Sequence, residues 1–143
     1  MVREPARQLD YASVGRRLLA MTYEALLVVA VLAVTMILPH VLIGAFSGRV
    51  ASPALLWAHL FAVLLVYFLW FWCRGGQTLA MKTWRIRLVG EAGRPVRPAQ
   101  ALLRYLVCWL SVGACGAGII WALVDRDRQF LHDRLAGTRL IRT

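Results

Sequence analysis

The sequence predicts an all-α membrane protein: two transmembrane helices, a third apolar element broken by glycines, and a short cytoplasmic β pairing. Three observations predict it. The 143-residue chain is 60% hydrophobic yet carries 17 Lys+Arg against 7 Asp+Glu, a net charge of +10. Its apolar runs reach the roughly 20 residues a helix needs to cross a bilayer. Arginine clusters bracket those runs, the signature of basic faces set against anionic lipid headgroups. A soluble domain of this length does not combine such apolarity with such charge. A nucleic-acid partner is also excluded, because such proteins carry their arginines on a polar face, whereas these flank apolar runs.

Residues 1–15 form a polar cytoplasmic lead with Pro5 and Gly15, expected to turn into an interfacial helix near Tyr11. Residues 16–143 form one membrane domain. Its first span, about 17–38, opens on Arg16 and Arg17 and ends near Pro39. The run is longer than a signal-peptide core and has no small-residue cleavage site close behind it, so an uncleaved anchor is expected. Glu24 lies within it. A charge at mid-membrane costs about 2.5–3.5 kcal/mol or more, so what Glu24 faces is the central question of the chain.

A Gly-, Ser- and Pro-containing loop, 40–53, leads to the second span, about 54–73. That span ends in Tyr67, Phe68, Trp70, Phe71 and Trp72, read as an interfacial aromatic belt before Arg74. Alternation over Thr83–Val89 predicts a strand, with Trp84, Ile86 and Leu88 on one side and Arg85 and Arg87 on the other. Gly90–Pro95 supplies turn residues. The third apolar stretch, 99–124, contains Arg104 and crowds Gly113, Ala114, Gly116, Ala117 and Gly118 at its centre. The tail ends in a second strand-like segment, Thr138–Thr143.

Charge sets the expected topology. Four Lys and Arg precede the first span, one lies in the first loop, seven run from Arg74 through Arg104, and five lie in the tail. The N-terminus and second loop are therefore expected in the cytoplasm. A plain third span would put the basic tail outside. A helical hairpin joined at 113–116, dipping in and returning, keeps the tail cytoplasmic and lets it pair with the strand after the second span. One unbroken span, using the glycines for close packing, is the alternative.

Three motifs stand out. Arg17 opens the first span, with Glu24 seven residues on. Gly76, Gln77 and Thr78 follow the second span, with Lys82, Trp84 and Arg85 behind them. His132, Asp133, Arg134, Leu135, Ala136, Gly137 and Thr138 close the chain. In this combination, covering about Gly15 to Ile141, the chain resembles the RDD family of small prokaryotic integral membrane proteins, named for one arginine and two aspartates. Glu24 stands where the family pattern has an aspartate. The resemblance implies a multi-pass inner-membrane protein. It also implies the motif residues Arg17, Glu24 and Asp133, supported by Arg104, His132, Arg134, Gln77 and Lys82.

Two roles fit these residues. In the first, Glu24 binds an arginine, and Asp133 binds Arg17 or caps a backbone end, stapling the third element and tail onto the first span. Arg104, Arg134 and Lys82 are the cations within reach. In the second, Glu24 is a protonatable cation site, its pKa raised by burial and lowered by a nearby arginine. His59 is the other ionisable group well inside a span, and some 13 Å separates it from Glu24. Tyr67 and Thr22 bridge part of that gap. His59 itself reads as a polar contact between helices.

The expected function is an accessory or regulatory membrane subunit, acting with another membrane protein or a second copy. The alternative is a small oligomeric cation/proton transporter using Glu24. No catalysis is expected: His132 and Asp133 face about 100° apart on a helix, and no nucleophile motif sits beside a base. HDRLAGT reads as a helical turn ending at Gly137. Cys73, Cys108 and Cys115 form no CxxC pair and no zinc spacing, so no metal or cofactor is expected. Cys108 and Cys115, seven apart, share a helix face.

Overall fold

A computed structural model describes residues 10–90, 93–114, 116–126 and 129–143. The expectations for the lead before Asp10, for 91–92 in the turn and for Cys115 lie outside these residues.

Among the described residues, two helices are long and apolar enough to cross a membrane. The first runs through Val14–Ser47, 34 residues, against an expected end near Pro39. It comprises α1 (Val14–Leu32), a π-helical turn (Ala33–Ile37) and α2 (Leu38–Ser47). Ser13 caps its start, accepting from the Arg16 amide. Tyr11 is not helical; it bridges to Ile141 in an extended segment. Pro39 does not stop the helix. Proline removes one amide donor and crowds the preceding turn, and the π turn immediately before it widens the backbone where that crowding falls. The segment read as loop from His40 is therefore helical until Gly48, which ends it in the left-handed region at φ 65°.

The second spanning helix, α3 (Pro53–Arg74), starts on a Ser52 cap with Pro53 in the first turn. Part of its aromatic end joins the core instead of a belt: Trp72 is buried, while Trp70 is exposed and stacks its ring under Arg74 at 3.7 Å. A short helix, α4 (Leu79–Thr83), follows, capped by Thr78. The predicted strand begins later than its alternation suggested. Trp84 and Arg85 form a turn, with Arg85 at φ 51°, and β1 covers Ile86–Gly90.

The third apolar stretch is two helices, α5 (Pro98–Gly113) and α6 (Ala117–Val124), bent by 95° at their break. Gly118 sits against Ser111, where a methyl group would overlap the serine hydroxyl, so the two helices meet at van der Waals contact. A last short helix, α7 (Leu131–Leu135), ends at Gly137 with φ 62°, as the closing motif suggested, and β2 covers Thr138–Arg142.

The strands pair antiparallel, with Leu88 opposite Leu140. Ala12 N–H donates to Leu140 O at 3.1 Å and Arg142 N–H to Asp10 O at 2.7 Å. The start of the chain and its tail therefore meet at one end of the molecule, against the connection that follows α3. Ile86, Leu88 and Leu140 are buried there with Ala20, Met81, Trp72 and Tyr105. Gly76 is required at this joint. Its φ is 68°, Leu88 N–H donates to its carbonyl at 2.7 Å, and a Cβ would collide with Leu88 O.

Candidate functional site: buried charges on the wall of a largely apolar cavity

Glu24, on the inward face of α1, is buried and engages two hydroxyls. Tyr67, from α3, donates to Oε1 at 2.7 Å, and Thr78 donates to Oε2. Thr78 also accepts from Met81 N–H at 3.2 Å, so one hydroxyl both caps α4 and holds the intramembrane acid. Burying a carboxylate requires such donors. These three residues tie α1, α3 and α4 together.

Asp133 is fully buried on α7, and its Oδ1 accepts from Arg104 Nε on α5 at 2.7 Å. The Arg104 guanidinium lies over the Trp72 ring at 4.4 Å, a cation–π contact that further compensates its burial. Arg17 lies 5.8 Å from the centre of the Phe130 ring. His132 is buried beside these groups, its Nε2 3.9 Å from Asp133 Oδ2. Burial pushes its pKa down from 6.5 to about 4; Asp133 opposes this, and the charges of Arg104 and Arg17 add to it. The imidazole is therefore neutral at pH 7.

Several expected contacts are re-dealt. Arg104, offered to Glu24, closes on Asp133. Arg134 closes on Asp125, whose other oxygen accepts from Gln129 N–H at 3.0 Å. Lys82 is exposed. Gln77 donates to Ile86 O at 2.8 Å, fixing the start of β1. Thr22 bonds its own helix at Leu18 O and bridges nothing toward His59. His59 instead meets His40, ring centres 5.1 Å apart, and His40 Nδ1 lies 2.7 Å from Met36 O. Reading His40 as loop hid that pair.

Arg17, Glu24, Arg104 and His132 all line a cavity of about 410 Å³ between α1, α3 and α5. Gln77, Lys82 and Arg134 are not on its wall. Most of the remaining lining is apolar, including Val28, Leu64, Phe68 and Trp109. Tyr67 and Thr78 are site residues that the motif reading did not assign. Their signal was available: an intramembrane acid needs donors, and a Tyr and a Thr flank the end of the second span. Phe130 and Asp125 carried no comparable signal.

The RDD family model matches residues 11–137. This chain belongs to the RDD family. In this RDD protein Glu24 and Asp133, the two acids expected to carry the motif, each sit in a polar cluster, Glu24–Tyr67–Thr78 and Arg104–Asp133. The chain is 27% identical over 101 residues to the uncharacterized protein RP437 of Rickettsia prowazekii (strain Madrid E). That alignment covers 71% of this chain and 57% of the relative, so the chain spans little more than half of the curated relative's length. No solved structure matches it.

Proposed function

We propose that this RDD protein is a non-catalytic accessory subunit of the prokaryotic inner membrane that binds or regulates another membrane protein or a second copy of itself. The carrying observation is that the intramembrane acid serves as a tie. Both Glu24 oxygens are engaged by hydroxyls from other elements. Beyond Glu24 the inward faces continue as Val28, Leu32, Leu60 and Leu64 before His40 and His59 are reached. That apolar layer is a poor route for a cation or proton.

In this reading the N-terminus, the second loop and the tail are all cytoplasmic, and α5–α6 re-enters on the side it left. The hydrogen bonds joining Ala12, β1 and β2 support that arrangement, as does the concentration of arginines in these segments. The second reading, an oligomeric cation/proton transporter, is favoured by one observation: an acid inside a spanning helix is a functional site by default.

Proteoliposome flux separates the two. The accessory reading expects no Na⁺, K⁺ or H⁺ flux above empty vesicles from folded protein, and for Glu24→Gln a lower thermal midpoint. Flux from the native protein that Glu24→Gln abolishes while still folded would overturn it.

A further inference from the structure

We propose that His40 and His59 form a binding site for a divalent transition-metal ion, of the class of Zn²⁺, Ni²⁺ and Cu²⁺, held between the two spanning helices. The two histidines belong to none of the three motifs and lie outside both polar clusters. The accessory and transporter readings of Glu24 both leave them unused. The site is therefore independent of that choice, and its test is separate from the flux measurement.

The first ground is the spacing of the rings. An imidazole nitrogen binds zinc at about 2.0–2.1 Å, which sets each ring centre about 3.2 Å from the ion, so two rings at the tetrahedral angle stand about 5.2 Å apart. The ring centres of His40, on α2, and His59, on α3, are 5.1 Å apart, with the planes tilted by 48°. The two helices thus hold the rings at the separation that a shared ion requires.

The second ground is the hydrogen bond at His40. Its Nδ1 lies 2.7 Å from Met36 O. A carbonyl oxygen only accepts, so Nδ1 carries the proton, and the neutral ring keeps its lone pair on Nε2. Metal-ligating histidines almost always donate their other N–H in this way, to a backbone carbonyl, a carboxylate or water. The donation fixes the ring and raises the basicity of the ligating nitrogen. Met36 belongs to the π turn before Pro39. The irregular turn that carries the first span past its proline therefore also supplies the acceptor that orients this ring.

The third ground is place, and it sets the class of ion. From His40 to Ser47, and from Pro53 to His59, the helices rise about 9–11 Å at about 1.5 Å per residue. Both histidines thus sit near the connection between the two spans, and both are partly exposed. An ion entering apolar surroundings must exchange water for strong ligands. Imidazole serves zinc, nickel and copper in this way, whereas calcium and magnesium take oxygen ligands. Among the described residues, no three His, Cys, Asp or Glu side chains converge. A tetrahedral ion on this pair keeps two positions for water or for a ligand from outside, and joins α2 to α3.

The test uses the full-length protein in neutral detergent, purified without a polyhistidine tag and stripped of metal with EDTA. Zn²⁺ is titrated by isothermal calorimetry, with Ca²⁺ as the comparison. The expected result is about one Zn²⁺ per chain, no saturable Ca²⁺ binding, and a thermal midpoint that rises with Zn²⁺. His40→Gln and His59→Gln should each weaken Zn²⁺ binding by about tenfold or more, with a metal-free midpoint near that of the native protein. Glutamine keeps a donor for Met36 O but lacks the imidazole. Cu²⁺ on the native protein should show electron paramagnetic resonance splitting from two imidazole nitrogens, which decides the matter even where a variant fails to fold. No saturable Zn²⁺ binding, unchanged binding by either folded variant, Ca²⁺ bound as tightly as Zn²⁺, or a Cu²⁺ spectrum without two nitrogens would each overturn the proposal.

Discussion

Asp133 and Arg104 show how the chain keeps charge inside an apolar fold. Their side chains are 0% and 5% exposed and meet at 2.7 Å. Removing one partner of such a pair leaves an uncompensated buried charge, at a cost of about 3–5 kcal/mol, whereas replacing both by apolar residues is often neutral. Asp133→Ala should therefore lower the unfolding free energy by about that amount. Asp133→Ala with Arg104→Met should recover most of it. Chemical denaturation in detergent measures both, and a double variant as weak as the single one would refute the account. His132 makes a second prediction. Its folded pKa, about 4, lies below its ordinary 6.5. Above pH 6.5 the group is neutral in both states and costs nothing. Between 6.5 and about 4 the unfolded chain takes up a proton that the native chain refuses, so stability falls as pH falls. His132→Gln should show a shallower fall in thermal midpoint between pH 7 and pH 5; equal slopes would refute it.

The connection between α3 and β1 is the element on which the Glu24 tie depends. Gly76 turns the chain at positive φ and receives the Leu88 amide, and Thr78 two residues on caps α4 and reaches Glu24. A side chain at Gly76 meets both a left-handed backbone and the Leu88 carbonyl. Gly76→Ala should cost more than the about 1 kcal/mol typical of an alanine forced to positive φ, and thermal unfolding checks it. Gly75→Ala is the control, since nothing crowds a Cβ there and its φ, 174°, lies outside the left-handed region. At this scale the sequence was legible where a single residue type has a single local consequence. Gly137 ended a helix and Thr138 began a strand, as the closing motif suggested. Pro39 misled, because a π turn absorbed what a regular helix would not. Trp84 and Arg85 alternated like strand residues but turn the chain, since alternation counts side chains and is blind to a left-handed backbone.

For the whole molecule, the pairing of β1 with β2 and of the N-terminal segment with β2 makes a topological demand. In the re-entrant arrangement, reporters fused before Tyr11 and after Thr143 should both give a cytoplasmic signal. Opposite signals would refute that arrangement and make α5–α6 a crossing. Two spanning helices, a basic tail, a strand pair and the family motif were readable along the chain. Each depends on run length, charge or local spacing, quantities that add up residue by residue whatever the rest of the fold does. The partners of Glu24 and Asp133 were not readable in this way. Tyr67 and Thr78 lie 43 and 54 residues from Glu24, and Arg104 lies 29 from Asp133. Several arginines were chemically equivalent candidates for each acid. Only the packing of α4, α5 and α7 against the two spans decided which side chain reached which acid. The same packing left α1 and α5 apart, and so made a cavity lined mostly by residues that the sequence presents merely as lipid-facing apolar side chains.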